Sequence, residues 1–102
     1  MEIKELTQLM HDFVRKKGWY ETDSLRPQTL RNLAISLNLE ACEVLEHFQW
    51  GEKSGDSTEL ADELADVALY LLQIASIAGI DLEQAILKKL DTNYLREWDR
   101  PA

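Results

Sequence analysis

Apolar residues recur along this chain at intervals of three and four, the spacing that gathers side chains on one face of an α-helix. Four stretches show it. Ile3, Leu6, Met10 and Phe13 predict a first helix over about residues 2–16. Lys16, Lys17 and Gly18 end it, with cations at the negative end of the helix dipole and then a glycine. Residues 18–26 read as a loop carrying Trp19 and Tyr20. Pro27 suits the first turn of a second helix. The buried stripe of that helix is Leu30, Leu33, Leu37, Val44 and Phe48, and it ends near Trp50. Residues 51–57 form a polar linker. Asp56 with Glu59 resembles a capping box, opening a third helix over about 58–78 that stops at Gly79. Asp81 with Gln84 opens a fourth, running to about Trp98. No convincing strand is present. Short links between amphipathic helices favour antiparallel neighbours, so the expected fold is all-α, an antiparallel four-helix bundle, in one domain over residues 1–102.

The third helix is unlike the others. Val67, Ala68, Leu69, Leu71, Leu72, Ile74, Ala75, Ile77 and Ala78 leave it apolar on nearly every side. Such a helix is buried all round, and three partners in a small chain hardly cover it. The simplest inference is an obligate oligomer with this helix at a subunit interface. Asp62, Glu63 and Asp66 crowd its start and Gln73 interrupts it, which reads as a buried helix and not a membrane span.

Charge narrows the partners. A formal charge of −8 and a pI near 4.6 argue against a protein that grips a nucleic-acid backbone, which needs a basic footprint. A nucleotide whose charge is carried by bound metal is still admitted. Cys42 is the only cysteine, so there is neither an intramolecular disulfide nor a thiolate zinc site. With no signal-like N-terminus, the expectation is a cytoplasmic protein.

The candidate chemistry lies in two acidic pairs, Glu40-Ala-Cys-Glu43 and Glu63-Leu-Ala-Asp66. Residues three apart on a helix share a face, so each pair aims two carboxylates one way. Two such helices packed together place four carboxylates round one space, where they repel unless a cation sits between them. Mg²⁺ is the natural occupant, because it takes oxygen ligands and bridges to substrate phosphates; Mn²⁺ is its substitute. The plain alternative is a solvated acidic face. Against it, Glu40 lies only about 40° round the helix from apolar Val44, and no Lys or Arg follows either pair at i+4.

On the fourth helix, Leu82, Lys89, Asn93 and Arg96 share a face. Lys89 and Arg96 either snorkel outward from the packing edge or, with Asn93, hold phosphate oxygens. Trp19, Trp50, Phe48 and Tyr70 are either core or a surface on which a nucleobase stacks. Cys42 reads as a small buried hydrophobe. His11 and His47 lack a paired Glu-x-x-His pattern and are assigned no metal.

At these residues the chain resembles the all-α NTP pyrophosphohydrolases, the MazG-like superfamily, whose signature is Glu-x-x-Glu, a spacer, then Glu-x-x-Asp. Here the spacer is 19 residues. Phe48-Gln49-Trp50, Asp66-Val-Ala-Leu-Tyr70 and Lys89-Leu-Asp91-Thr-Asn93, together with Trp19, resemble the dCTP pyrophosphatase branch. The resemblance implies Mg²⁺-dependent hydrolysis of a nucleoside triphosphate, with dCTP or a modified cytosine nucleotide the best guess, to monophosphate and pyrophosphate. It implies that Glu40, Glu43, Glu63 and Asp66 bind Mg²⁺, that Lys89 and Asn93 contact phosphates, and that Trp19, Phe48, Trp50 and Tyr70 line or flank the base. Glu43 is the carboxylate chosen to orient or deprotonate the attacking water, and Arg96 joins Lys89 in offsetting charge on the leaving pyrophosphate. It also implies a helical bundle that forms a homodimer or homotetramer, and the role would be nucleotide-pool control or house-cleaning. The alternatives are a non-catalytic helical interaction module with solvent-facing acids, and a di-iron bundle, for which the Glu-x-x-His motifs are absent.

Overall fold

The computed structural model describes residues 1–53 and 55–99. They form four helices and no strand: α1 (Ile3–Lys16), α2 (Leu30–Glu46), α3 (Ser57–Ile77) and α4 (Leu82–Leu95). The caps follow the sequence signals. Asp56 accepts hydrogen bonds from the amides of Thr58 and Glu59 at the start of α3, and Asp81 accepts one from Gln84 at the start of α4. Gly18 and Gly79 sit just past α1 and α3 with φ of 74° and 72°, where a β-carbon would be strained.

Three boundaries differ from expectation. Pro27 does not enter α2. The hydroxyl of Thr29 captures the Asn32 amide at 3.1 Å and starts the helix at Leu30, as an N-cap does. α2 stops at Glu46, short of Trp50. The next amides reach back three residues rather than four: His47 to Val44, Phe48 to Leu45, Gln49 to Glu46. α4 ends at Leu95, because Arg96 turns extended and the Trp98 indole N–H folds back onto the Asn93 carbonyl at 3.2 Å.

α2 and α3 run antiparallel and make the main packing layer, and α1 lies on α3. Among the described residues, Met10, Val14, Leu33 and Ala75 are the buried apolar ones, with one buried polar side chain, Gln73, among them. Cys42 corrects an expectation. It is exposed, because nine residues from fully buried Leu33 place it about 180° round α2.

α4 turns away from α3 at 103° and does not fold back alongside it, and none of its residues is buried. The result is an open molecule. Its accessible surface is 8493 Å², against about 5,900 Å² for a folded monomer of this mass. Its radius of gyration is 16.7 Å, against about 13 Å for a compact domain of this length. The excess is apolar and includes Leu64, Leu69, Leu71 and Ile77 on α3 and Ile86, Leu87 and Leu90 on α4. Among the described residues, no single helix is long and apolar enough to cross a membrane.

Candidate active site

The antiparallel α2–α3 pair sets its two acidic motifs against each other. Glu40 feels all three partners. Burial, a hydrogen bond with Glu43, and the charges of Glu43, Asp66 and Glu63 push its carboxyl above the ordinary value. All three charges acting on it are acidic. Glu40 Oε2 and Glu63 Oε2 are shielded from solvent and accept no hydrogen bond. His47 Nε2 stands 2.5 Å from Glu63 Oε2. Sequence reasoning did not give His47 this place. Its signal was its position four residues after Glu43, where a surface helix often carries a neutralising cation.

Beside the carboxylates opens a cavity of about 730 Å³ between α1, the loop after it, α2 and α3. Glu40 and Asp66 line one end of it. Trp19 and Tyr70 line its side, with Leu6, Leu9 and Phe13 of α1. These α1 side chains are the cavity's apolar wall. Trp19 is held edge-on to Phe13 at 5.5 Å, and the Arg26 guanidinium lies 5.6 Å from its ring centre. The far end is polar, formed by Gln28, Asn32 and Gln73. An apolar enclosure with a few convergent polar groups is what small-molecule sites look like.

Other expected site residues lie elsewhere in this single chain. Phe48 and Trp50 do not line the cavity, and Trp50 is 91% exposed; the tight turns after Glu46 carry both beyond α2. Lys89, Asn93 and Arg96 do not line it either, because α4 leaves the layer. Arg96 stacks 4.1 Å from the Trp98 ring centre. Asn93 Oδ1 is shielded and accepts no hydrogen bond.

The donor chemistry fits a hard cation. Oxygen atoms dominate it, the buried Glu40 Oε2 accepts no hydrogen bond, and burial with the neighbouring acidic charges disfavours the ionised state of Glu40, which a cation would relieve. Among the described residues, no three His, Cys, Asp or Glu side chains already stand in an ion-holding set.

Known proteins place this arrangement. The model of the MazG-like family matches residues 35–100, which span both acidic motifs. dCTP pyrophosphatase 1 of Bos taurus is 31% identical over 103 residues, covering 92% of this chain and 58% of that protein. This chain thus spans about three-fifths of that relative's length. A dATP/dGTP diphosphohydrolase of Salmonella phage PMBT28 is 50% identical over 40 residues, 39% of this chain and 14% of that protein. The crystal structure of a pyrophosphatase from Archaeoglobus fulgidus superposes with a TM-score of 0.71 at 33% identity, covering 88% of this chain and 86% of that one. With its four helices and facing Glu-x-x-Glu and Glu-x-x-Asp pairs, the chain belongs to the MazG-like family.

Proposed function

We propose that this protein is a Mg²⁺-dependent nucleoside triphosphate pyrophosphohydrolase that converts a deoxynucleoside triphosphate, with dCTP or a modified cytosine nucleotide the first choice, to the monophosphate and pyrophosphate. The observation that carries the reading is the convergence of Glu43, Glu63 and Asp66 on Glu40, with Glu40 and Asp66 lining a cavity of about 730 Å³, large enough for a nucleotide. The relatives' names agree in reaction class, and dCTP, dATP and dGTP all carry an amino group on the base.

Glu40, Glu43, Glu63 and Asp66 would hold Mg²⁺. Bound there, the ion supplies charge neutralisation for the triphosphate and a lowered pKa for water. Glu43, exposed beside Glu40, takes the proton of the attacking water. Water oxygen bonds to the α-phosphorus, the α–β bridging bond breaks, and pyrophosphate leaves with that electron pair. Trp19 and Tyr70 flank the base. The protein works as a homo-oligomer in the cytoplasm. The uncovered apolar faces of α3 and α4 meet in a second copy, and the roughly 2,600 Å² of surface beyond a compact monomer's is within the range of obligate interfaces. Lys89, Asn93 and Arg96 then serve phosphates at the site of a neighbouring subunit.

The test is pyrophosphate release from a panel of canonical and modified nucleoside triphosphates, with Mg²⁺ and with EDTA. Mg²⁺-dependent release with monophosphate product is expected. The competing reading, a non-catalytic helical module with solvent-facing acids, requires folded protein that releases nothing.

A further inference from the structure

Gln73 interrupts the apolar run of α3 and is 3% exposed. It shares a face with Asp66 and Tyr70, and all three line the cavity. Seven residues separate Asp66 from Gln73, or about 10 Å along the helix. This is about the span from the phosphate to the base of a nucleotide. With the phosphates at the carboxylates, the base therefore arrives at Gln73.

The orientation of the Gln73 amide is set by its neighbours. Gln28 Nε2 lies 2.7 Å from the main-chain carbonyl of Arg26. A carbonyl only accepts, so the amino end of Gln28 faces Arg26 and its Oε1 faces Gln73. Gln73 Nε2 donates to that oxygen at 2.8 Å and to the Tyr20 hydroxyl at 3.2 Å, which uses both its hydrogens. The Tyr20 hydroxyl is in turn hydrogen-bonded to His11 Nδ1 at 2.6 Å, and His11 Nε2 to Ser76 Oγ at 2.7 Å. Burial and the nearby Arg15 charge lower the pKa of His11. Asn32 repeats the device: its Nδ2 donates to the Pro27 carbonyl at 3.0 Å. Among the described residues, neither Gln73 Oε1 nor Asn32 Oδ1 accepts a hydrogen bond. The far end of the cavity thus offers two anchored acceptors.

We propose that Gln73, its carboxamide fixed by Gln28 and the Arg26 carbonyl, accepts a hydrogen bond from the exocyclic amino group of the substrate base. The chain thereby selects amino-bearing bases against uracil and thymine. Cytosine presents an N4 amino group where uracil presents an oxygen, and an oxygen facing Gln73 Oε1 would leave two buried acceptors opposed. The assignment rests on the nucleotide reading above.

The experiment compares kcat/KM for dCTP and dUTP, and for dATP and its hypoxanthine analogue, in the wild type, Gln73→Leu and Gln28→Leu. The wild type is expected to favour the amino-bearing member of each pair. Gln73→Leu should cut that preference about tenfold, chiefly by lowering the amino-bearing substrate's kcat/KM. Gln28→Leu frees the amide to turn its NH₂ inward, and should relax or reverse the preference even where Gln73→Leu does not fold. Equal wild-type rates on both members, or ratios unchanged in the folded variants, overturn the role of Gln73 and leave the nucleotide reading standing. Hydrolysis of no triphosphate by the folded wild type overturns both.

Discussion

His47 Nε2 lies 2.5 Å from Glu63 Oε2, joining the turn after α2 to the start of α3. The two side chains are only 10% and 24% exposed, so the pair holds Glu63 where the other carboxylates meet it. His47→Ala is expected to weaken apparent Mg²⁺ affinity about 10–100-fold, the usual cost of losing a group that orients a ligand. Mg²⁺ titration of pyrophosphate release reads this, with circular dichroism showing unchanged helicity. A variant with wild-type Mg²⁺ dependence would make the contact incidental.

Replacing a carboxylate should separate chemistry from folding. Glu63→Gln or Asp66→Asn is expected to abolish turnover while helicity and assembly persist. Full activity in either variant would remove the four-carboxylate site.

Glu40 gives the metal-free protein a pH dependence of definite sign. Its folded-state pKa lies above its ordinary 4.5, from burial first and then from Glu43, Asp66 and Glu63. Its relative stability is therefore fully present below about pH 4.5 and is lost as pH rises through the folded value. In EDTA at neutral pH, Glu40→Gln should melt a few degrees above the wild type, and the gain should vanish in acid. Thermal melts across pH check this, and a destabilised Glu40→Gln at neutral pH would contradict it.

Assembly makes a further prediction. Leu71 on α3 is exposed at 44% in the single chain. If that face meets a second copy, the wild type sediments as a dimer or larger and its melting temperature rises with concentration. Leu71→Glu should yield monomers of lowered stability. A wild type that sediments as a monomer at every concentration would refute the assembly.

Much of this architecture is legible in the sequence because the signals are local. Asp56, Asp81, Gly18 and Gly79 mark helix ends through bonds or dihedrals reaching only a few residues. The paired acids are legible for the same reason, since i and i+3 share a face on any helix. Boundaries decided by competition are not. Thr29 outcompetes Pro27 as a start, and a returning Trp98 indole ends α4 early. The cavity is hidden because Leu6, Leu9 and Phe13 carry the same periodic signature whether they fill a core or wall a pocket. Gln73 is visible as a polar break in α3, but its partners Gln28 and Tyr20 lie 45 and 53 residues away, beyond any periodicity. Phe48 and Trp50 read in the sequence as core or base-stacking aromatics, and within one chain the turns after Glu46 carry them outward.

The 103° corner at Gly79 has a consequence for dilution. α4 has 14 residues and none is buried. A free helix shorter than about 12–15 residues is marginal in water, so α4 draws most of its order from whatever covers it. If a second copy covers it, separating the copies would melt a segment as well as break a contact. The far-ultraviolet signal should fall on dilution by the share that α4 contributes, and the last part of the chain to fold would be the part that finds its neighbour.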